Sequence, residues 1–357
     1  MMKNYTSYDL IEWGKPFEKS QHALPEPTLS EVLIRVTAAG LCHSDLHVQK
    51  GYMDLGEEGR LTFAERGAQL PMTFGHEIAG IVEAIGDKVK NVSIGQQVIV
   101  FPWIGCGDCL ACNEDRESDC SAMRIIGLKQ KGGFATHCLI ENEKFLVNID
   151  GLDAADVVPH ACSGITVYNA LEKIGSLRDG EWLAVMGCGG LGLNAIAIAS
   201  AMGFGNIIGI DIDNSKLDAA RQMGASKTLN SKSANAVADL QKFAESRLMA
   251  VIDTFGGEST GQLAVRALAK SGQYLLVGQA GGDFKMPQVW LPQKAMMVRG
   301  SHVGNSPQLR KLIDMVRAGK VKQMPIERRQ LSGINQAVED LEKGRVTGRI
   351  VFQPDQG

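Results

Sequence analysis

Four cysteines stand close together at Cys106, Cys109, Cys112 and Cys120, in the pattern C-x2-C-x2-C-x7-C. Four thiolates this near one another suit a tetrahedral structural zinc with every position filled and none left for substrate. Gly105 and Gly107 let the chain wrap such an ion. A redox disulfide pair and an iron–sulfur cluster compete for the same residues. A reducing compartment opposes the first, and the spacing differs from the usual cluster patterns.

A second signal is Gly187-Cys188-Gly189-Gly190-Leu191-Gly192, which follows the strand-like WLAVM and opens an apolar helical segment. That context turns a weak G-x-G-x-x-G match into a dinucleotide-binding fingerprint. Gly187 takes the tight turn, Gly189 admits the pyrophosphate close to the backbone, and Gly192 lets helix and strand approach. The helix N-terminal amides then face the phosphates. Asp211 ends the next strand-like run, IIGIDID, where a carboxylate accepts hydrogen bonds from the adenosine ribose and repels a 2′-phosphate, so NAD is expected over NADP. Lys216 is either a further ribose contact or a solvated helix residue.

A third constellation is dispersed: AAGLCHSDLH with Cys42, GHE with His76, and PHACSGIT with Cys162. Two thiolates and one imidazole make three protein ligands with an open fourth position, the arrangement of a catalytic zinc. Buried cysteines are usually small hydrophobes, so spacing alone leaves this set open.

These residues need a scaffold, and the sequence texture changes along the chain to supply one. From Glu31 to about Ile149 short β-rich pieces alternate with Gly, Pro, Asn and Asp, as in an irregular β-barrel. From about Gly164 strands alternate with amphipathic helical stretches, which predicts βαβ units and a parallel sheet. The terminal strand-like Arg349–Phe352 suggests a return to the first domain, dividing the chain into 1–163 with 301–357 and a middle domain 164–300. Gly51–Pro71 is an unusually long, charged, glycine-containing loop.

A 357-residue chain with 44% apolar and 22% charged residues has the composition of a globular protein of more than one domain. A net charge of −3 gives no surplus of cations for phosphates, so nucleic acid is not an expected partner. No apolar leader or long apolar stretch is present, so a soluble cytoplasmic protein without membrane contact is expected.

In this order, the three dispersed segments, the cysteine lobe and the GCGGLG loop resemble the zinc-containing alcohol dehydrogenases of the medium-chain dehydrogenase/reductase superfamily. The resemblance covers nearly the whole chain. It implies an α/β protein, a β-rich GroES-like catalytic domain joined to a Rossmann doubly wound parallel-sheet coenzyme domain, assembled as a homo-oligomer, dimer or tetramer. It implies two zinc ions per chain: a catalytic one on Cys42, His76 and Cys162, and a structural one on the four-cysteine lobe. Ser44 is then the contact to the substrate hydroxyl and His47 the outer end of a proton relay through the nicotinamide ribose. Asp45 would orient His76, and Glu77 would tune or transiently ligate the metal. His43 and Arg349 would face the pyrophosphate, and Thr166 and Val277 the nicotinamide. The activity implied is reversible hydride transfer between NAD and a primary or secondary alcohol. Cys162 in place of the acid common in the polyol branch makes a polyol substrate less fitting. Trp103 is a candidate pocket wall or a core residue. A non-catalytic NAD-binding sensor would have lost zinc ligands or Ser44, and a zinc-free reductase would lack the cysteine lobe; all are present.

Overall fold

Residues 3–354 are described by the computed structural model; Met1, Met2 and the last three residues lie outside it. Two sheets carry the functional residues. The first is mixed and contains Val32–Gly40, Glu77–Ile85, Gln97–Val100, Leu146–Asn148, Ile326–Gln330 and Arg349–Gln353, with His137–Ile140 paired to Val32–Gly40. Val32–Gly40 is its spine, apolar along most of its length and buried at seven of nine positions. Register is what matters for chemistry: Gly40 stands opposite Glu77, so Cys42 and His76 emerge together at one edge of the sheet. Arg349–Gln353 comes back from the far end of the chain to lie antiparallel to the same strand, Val351 opposite Gly40.

The second sheet has six parallel strands, in spatial order Lys227–Asn230, Ile207–Asp211, Trp182–Met186, Leu248–Asp253, Gln273–Leu276 and Met297–Gly300. In sequence order this is 3-2-1-4-5-6, the doubly wound arrangement whose ligand crevice opens at the carboxyl ends of the first and fourth strands. Period-2 side chains divide the central strand between two cores. Leu183 and Val185 join one, while Trp182, Ala184 and Met186 join the other. Burial on both faces explains why WLAVM reads as a continuous apolar run.

The helix Ser163–Ile174 links the two sheets, with Ile165 in the core of the first and Val167, Ala170 and Leu171 in a core of the second. The Gly51–Pro71 stretch contains a two-stranded hairpin, Tyr52–Asp54 with Arg60–Thr62, rather than irregular loop alone. Its tip reaches the second sheet's loops: Glu57 N donates to Asp283 at 3.0 Å and the Glu57 carboxylate pairs with Lys285 at 2.7 Å. Among the described residues no helix is long and apolar enough to cross a membrane.

Candidate active site

Cys42 and Cys162 occupy equivalent local positions, each the cap residue at the N-terminus of a helix, His43–Lys50 and Ser163–Ile174. Helix N-terminal amides favour a thiolate. Ligand atoms of Cys42, His76, Glu77 and Cys162 all lie within 4.8 Å of one another. Thiolates around a tetrahedral zinc stand about 3.8 Å apart, given a Zn–S distance near 2.3 Å, so the set is able to close on one ion. A β-carbon at position 40 would run into the Glu77 carboxylate, so this close approach of strands requires Gly40.

Electrostatics around the cluster suit a cation. Glu77 is fully buried, and burial pushes its pKa up to about 8 despite the neighbouring Arg349 guanidinium. Arg349 Nη2 is 2.9 Å from Glu77 Oε1, yet the alignment is too poor for a hydrogen bond, and both Glu77 oxygens are orphaned. A buried carboxylate left this way is stabilised by a nearby metal ion. Cys42 is driven well toward the thiolate, first by the hydrogen bond from Cys162 and, against burial, by the charge of Arg349. Asp45 holds the imidazole: its Oδ1 is 3.3 Å from His76 Nδ1 while Oδ2 accepts from the Cys42 amide at 2.9 Å. This leaves His76 Nε2 directed at the ligand cluster.

Ser44 Oγ is 3.4 Å from His76 Nε2, beside that cluster. His47, one helical turn on, lines a cavity of about 360 Å³ between the hairpin and Ala280, with Lys50, Tyr52, Asp54 and Arg60. Trp103 packs its ring 5.7 Å from that of His76 and 5.9 Å from that of His302. It is therefore both buried and next to the site, and His302, which no motif marks, becomes a neighbour of the cleft.

At the second sheet, Gly187 has φ +84° and a β-carbon on Gly192 would strike the Gly187 carbonyl, whereas Gly189 faces open space. That combination is a tight turn with a cradle on its outer side. Asp211 is pinned at the strand end, accepting from the Cys188 amide at 2.7 Å and from the Ile212 amide at 2.7 Å. Ile212 and Phe255 are 56% and 53% exposed there, apolar walls suited to a flat ring that the motif did not reveal. Gly190, Leu191 and Lys216 border the same crevice; Lys216 acts electrostatically on both Cys188 and the exposed His43. Thr166 and Val277 are nearly buried. Arg349 lies against Gly190, but its guanidinium is buried, donating to the Leu41 carbonyl at 3.1 Å and facing Glu77. It thus ties the metal cluster to the glycine turn.

In the lobe, the sulfurs of Cys106, Cys109, Cys112 and Cys120 lie within 4.8 Å of one another, with Cys106 and Cys112 at 3.9 Å. That separation matches a closed tetrahedron of thiolates. His160 stands outside the ligand cluster, its Nδ1 against Gly164. Cys138 and Cys188 are buried free thiols, and burial raises both pKa values.

Comparison with known proteins agrees with this geometry. The family model described as alcohol dehydrogenase GroES-like domain matches residues 28–151, and that described as zinc-binding dehydrogenase matches residues 190–318. An NAD-dependent alcohol dehydrogenase of Sulfurisphaera tokodaii is 37% identical over 97% of this chain and 99% of its own length. One from Saccharolobus solfataricus is 36% identical over the same shares. The solved alcohol dehydrogenase of Aeropyrum pernix superposes with a TM-score of 0.89 at 28% identity, covering 98% of this chain and 100% of that one. The chain belongs to the zinc-containing, NAD-dependent alcohol dehydrogenases of the medium-chain dehydrogenase/reductase superfamily.

Proposed function

We propose that this chain exchanges hydride between NAD and a primary or secondary alcohol, with Cys42, His76 and Cys162 holding the catalytic zinc and the four-cysteine lobe a second, structural zinc. The observation that carries the reading is Ser44 Oγ beside the metal-facing nitrogen of His76, at the edge of a three-ligand cluster. When bound, zinc supplies Lewis acidity toward the hydroxyl oxygen and NAD supplies the hydride acceptor. Ser44 is placed to accept the hydroxyl proton, and His47 to deliver it to solvent through the cavity that it lines. Asp45 keeps the His76 ring oriented. The Glu77–Arg349 ion pair would balance charge beside the residues that would hold the metal.

Residues 1–163 with 301–357 form the catalytic domain in this reading, and 164–300 the coenzyme domain, with Gly187, Gly189, Gly190, Leu191, Gly192, Asp211 and Lys216 receiving the adenosine diphosphate half. His43 borders the pyrophosphate, and Thr166 and Val277 the nicotinamide. The test is alcohol-dependent formation of NADH by absorbance, with Asp211→Gly as its partner. Removing a carboxylate that bonds two ribose hydroxyls is expected to raise KM for NAD by about 100-fold, at roughly 1.5 kcal/mol or more per charged hydrogen bond, and to relax the bias against NADP. An unchanged KM would remove Asp211 from the ribose site.

A cytoplasmic homo-oligomer is the accompanying proposal. Met297 and Val298, 50% and 39% exposed, lie on an edge strand of the parallel sheet, a natural seat for a second copy. Light scattering should give a dimer or larger, and Val298→Asp should lower the mass; a monomeric wild type would end this proposal.

A further inference from the structure

The two thiols of the proposed metal site stand at helix starts, and each start is held by its own clamp. At Cys42 the clamp is Asp45, whose carboxylate accepts from the Cys42 amide at 2.9 Å and lies 3.3 Å from His76 Nδ1. At Cys162 no side-chain hydrogen bond caps the helix. The residue falls between the 3-10 turn Val158–Ala161 and the helix Ser163–Ile174, and its amide makes a long bond of 3.3 Å to the Pro159 carbonyl.

What tightens this turn comes from another helix. Ser163 Oγ donates to that same Pro159 carbonyl at 2.9 Å, and Asn194 Nδ2 donates to Ser163 Oγ at 2.8 Å. Ser163 and Asn194 are each 1% exposed, so bulk water does not compete for either bond. Asn194 lies on Gly190–Ala201, the helix opened by the glycine turn, and its buried neighbours along that helix are glycine, leucine, isoleucine and alanine. An amide in such a setting is destabilising unless it is hydrogen-bonded, and the bond to Ser163 offsets that at the residue next to Cys162. The same bond orients the hydroxyl: with its oxygen accepting from Asn194, the Ser163 proton is left to point at Pro159. A buried strut thus runs from the helix of the coenzyme turn to the start of the helix that Cys162 caps.

Resting on the assignment of Cys42, His76 and Cys162 as the catalytic metal site, we propose that Asn194 is a positioning residue for the reaction, acting through Ser163 to hold the Cys162 thiolate in register with Cys42 and His76. The ligand atoms gather within 4.8 Å, and a thiolate binds zinc well only near about 2.3 Å, so a turn free to rock would loosen one of three ligands. Groups that orient metal ligands from behind are worth roughly 10- to 100-fold in metal affinity or activity. Asn194 acts on the reaction only through this backbone.

The experiment follows zinc release from the zinc-loaded full chain into excess EDTA, alongside kcat, for the wild type, Asn194→Leu, Ser163→Ala and the double variant. The release phase belonging to Cys42, His76 and Cys162 is the one absent from Cys42→Ala. Each single variant should lose that zinc about tenfold faster and fall about tenfold in kcat, while KM for NAD stays within about twofold and release from the four-cysteine lobe is unchanged. The double variant should match the singles, because the two residues act as one chain of bonds. Ser163→Ala removes a single oxygen atom, so it keeps the test open where the leucine variant folds poorly. Variants that lose thermal stability yet release zinc and turn over like the wild type reduce the network to packing and overturn the proposal, as do additive effects in the double variant. The dehydrogenase reading stands in both of those outcomes. A wild type with no release phase tied to Cys42, or with no turnover of any alcohol, overturns the metal-site reading and the proposal with it.

Discussion

Replacing Cys42 with alanine is expected to cut alcohol-dependent NAD reduction by at least about four powers of ten, a loss near 5 kcal/mol of transition-state stabilisation. On the proposed two-zinc reading it should also release one zinc ion per chain. His76 and Cys162 remain, but one thiolate and one imidazole, with only the ion-paired Glu77 carboxylate to add, are too few strong donors to hold the ion tightly. The fold should survive. The Cys42 amide still donates to Asp45 in the alanine variant, so the start of the His43–Lys50 helix is kept. Metal analysis after gel filtration, circular dichroism and turnover on the same preparation separate these effects. An active variant, or a wild type that is fully active with one tightly held zinc, would refute the two-site assignment.

What could be read from the sequence follows the range over which each signal acts. The lobe and the glycine turn are local patterns, and their geometry appears where the spacing puts it, with sulfurs clustered and Gly187 at positive φ. The proposed catalytic ligands are not local. Their meeting depends on the pairing of Gly40 with Glu77 across two strands, and only the family resemblance supplied it in advance. Residues without a motif escaped notice: His302 gains its meaning from the ring of Trp103, and Phe255 and Ile212 from the crevice between strands. The strand Lys227–Asn230 reads as polar because it lies at an edge of the sheet. The helix Ser163–Ile174 is buried on nearly all sides, which removes the one-sided periodicity that would announce it. The hairpin within Gly51–Pro71 has three-residue strands, below the length at which alternation is visible.

Cys109→Ala should have its main effect on stability, for a reason that lies in how the lobe is built. Between Gly105 and Cys120 the chain has one four-residue helix and one turn of 3-10 helix, and Leu110 is 70% exposed. So small an apolar interior cannot offset the entropy of ordering the loop; in the two-zinc reading proposed above, thiolate–metal bonds do so. Structural zinc contributes on the order of 10 kcal/mol in peptides that fold around it, so losing one ligand should cost several kcal/mol locally. The neck of the lobe is the two-residue pairing of Trp103–Ile104 with Arg124–Ile125, and Ser118 Oγ donates to Asn305 Oδ1 at 2.7 Å from the lobe itself. Loosening the lobe therefore frees Trp103 on one side and the segment that carries His302 on the other. The expected result is loss of the second zinc, protease cleavage between Gly105 and Cys120, and a thermal-inactivation half-life shortened at least about tenfold. Activity at low temperature should fall less, because the proposed catalytic ligands Cys42, His76 and Cys162 are all retained. A Cys109→Ala protein that binds two zinc ions, or that loses one and resists heat and protease like the wild type, would show that the lobe holds itself together without metal.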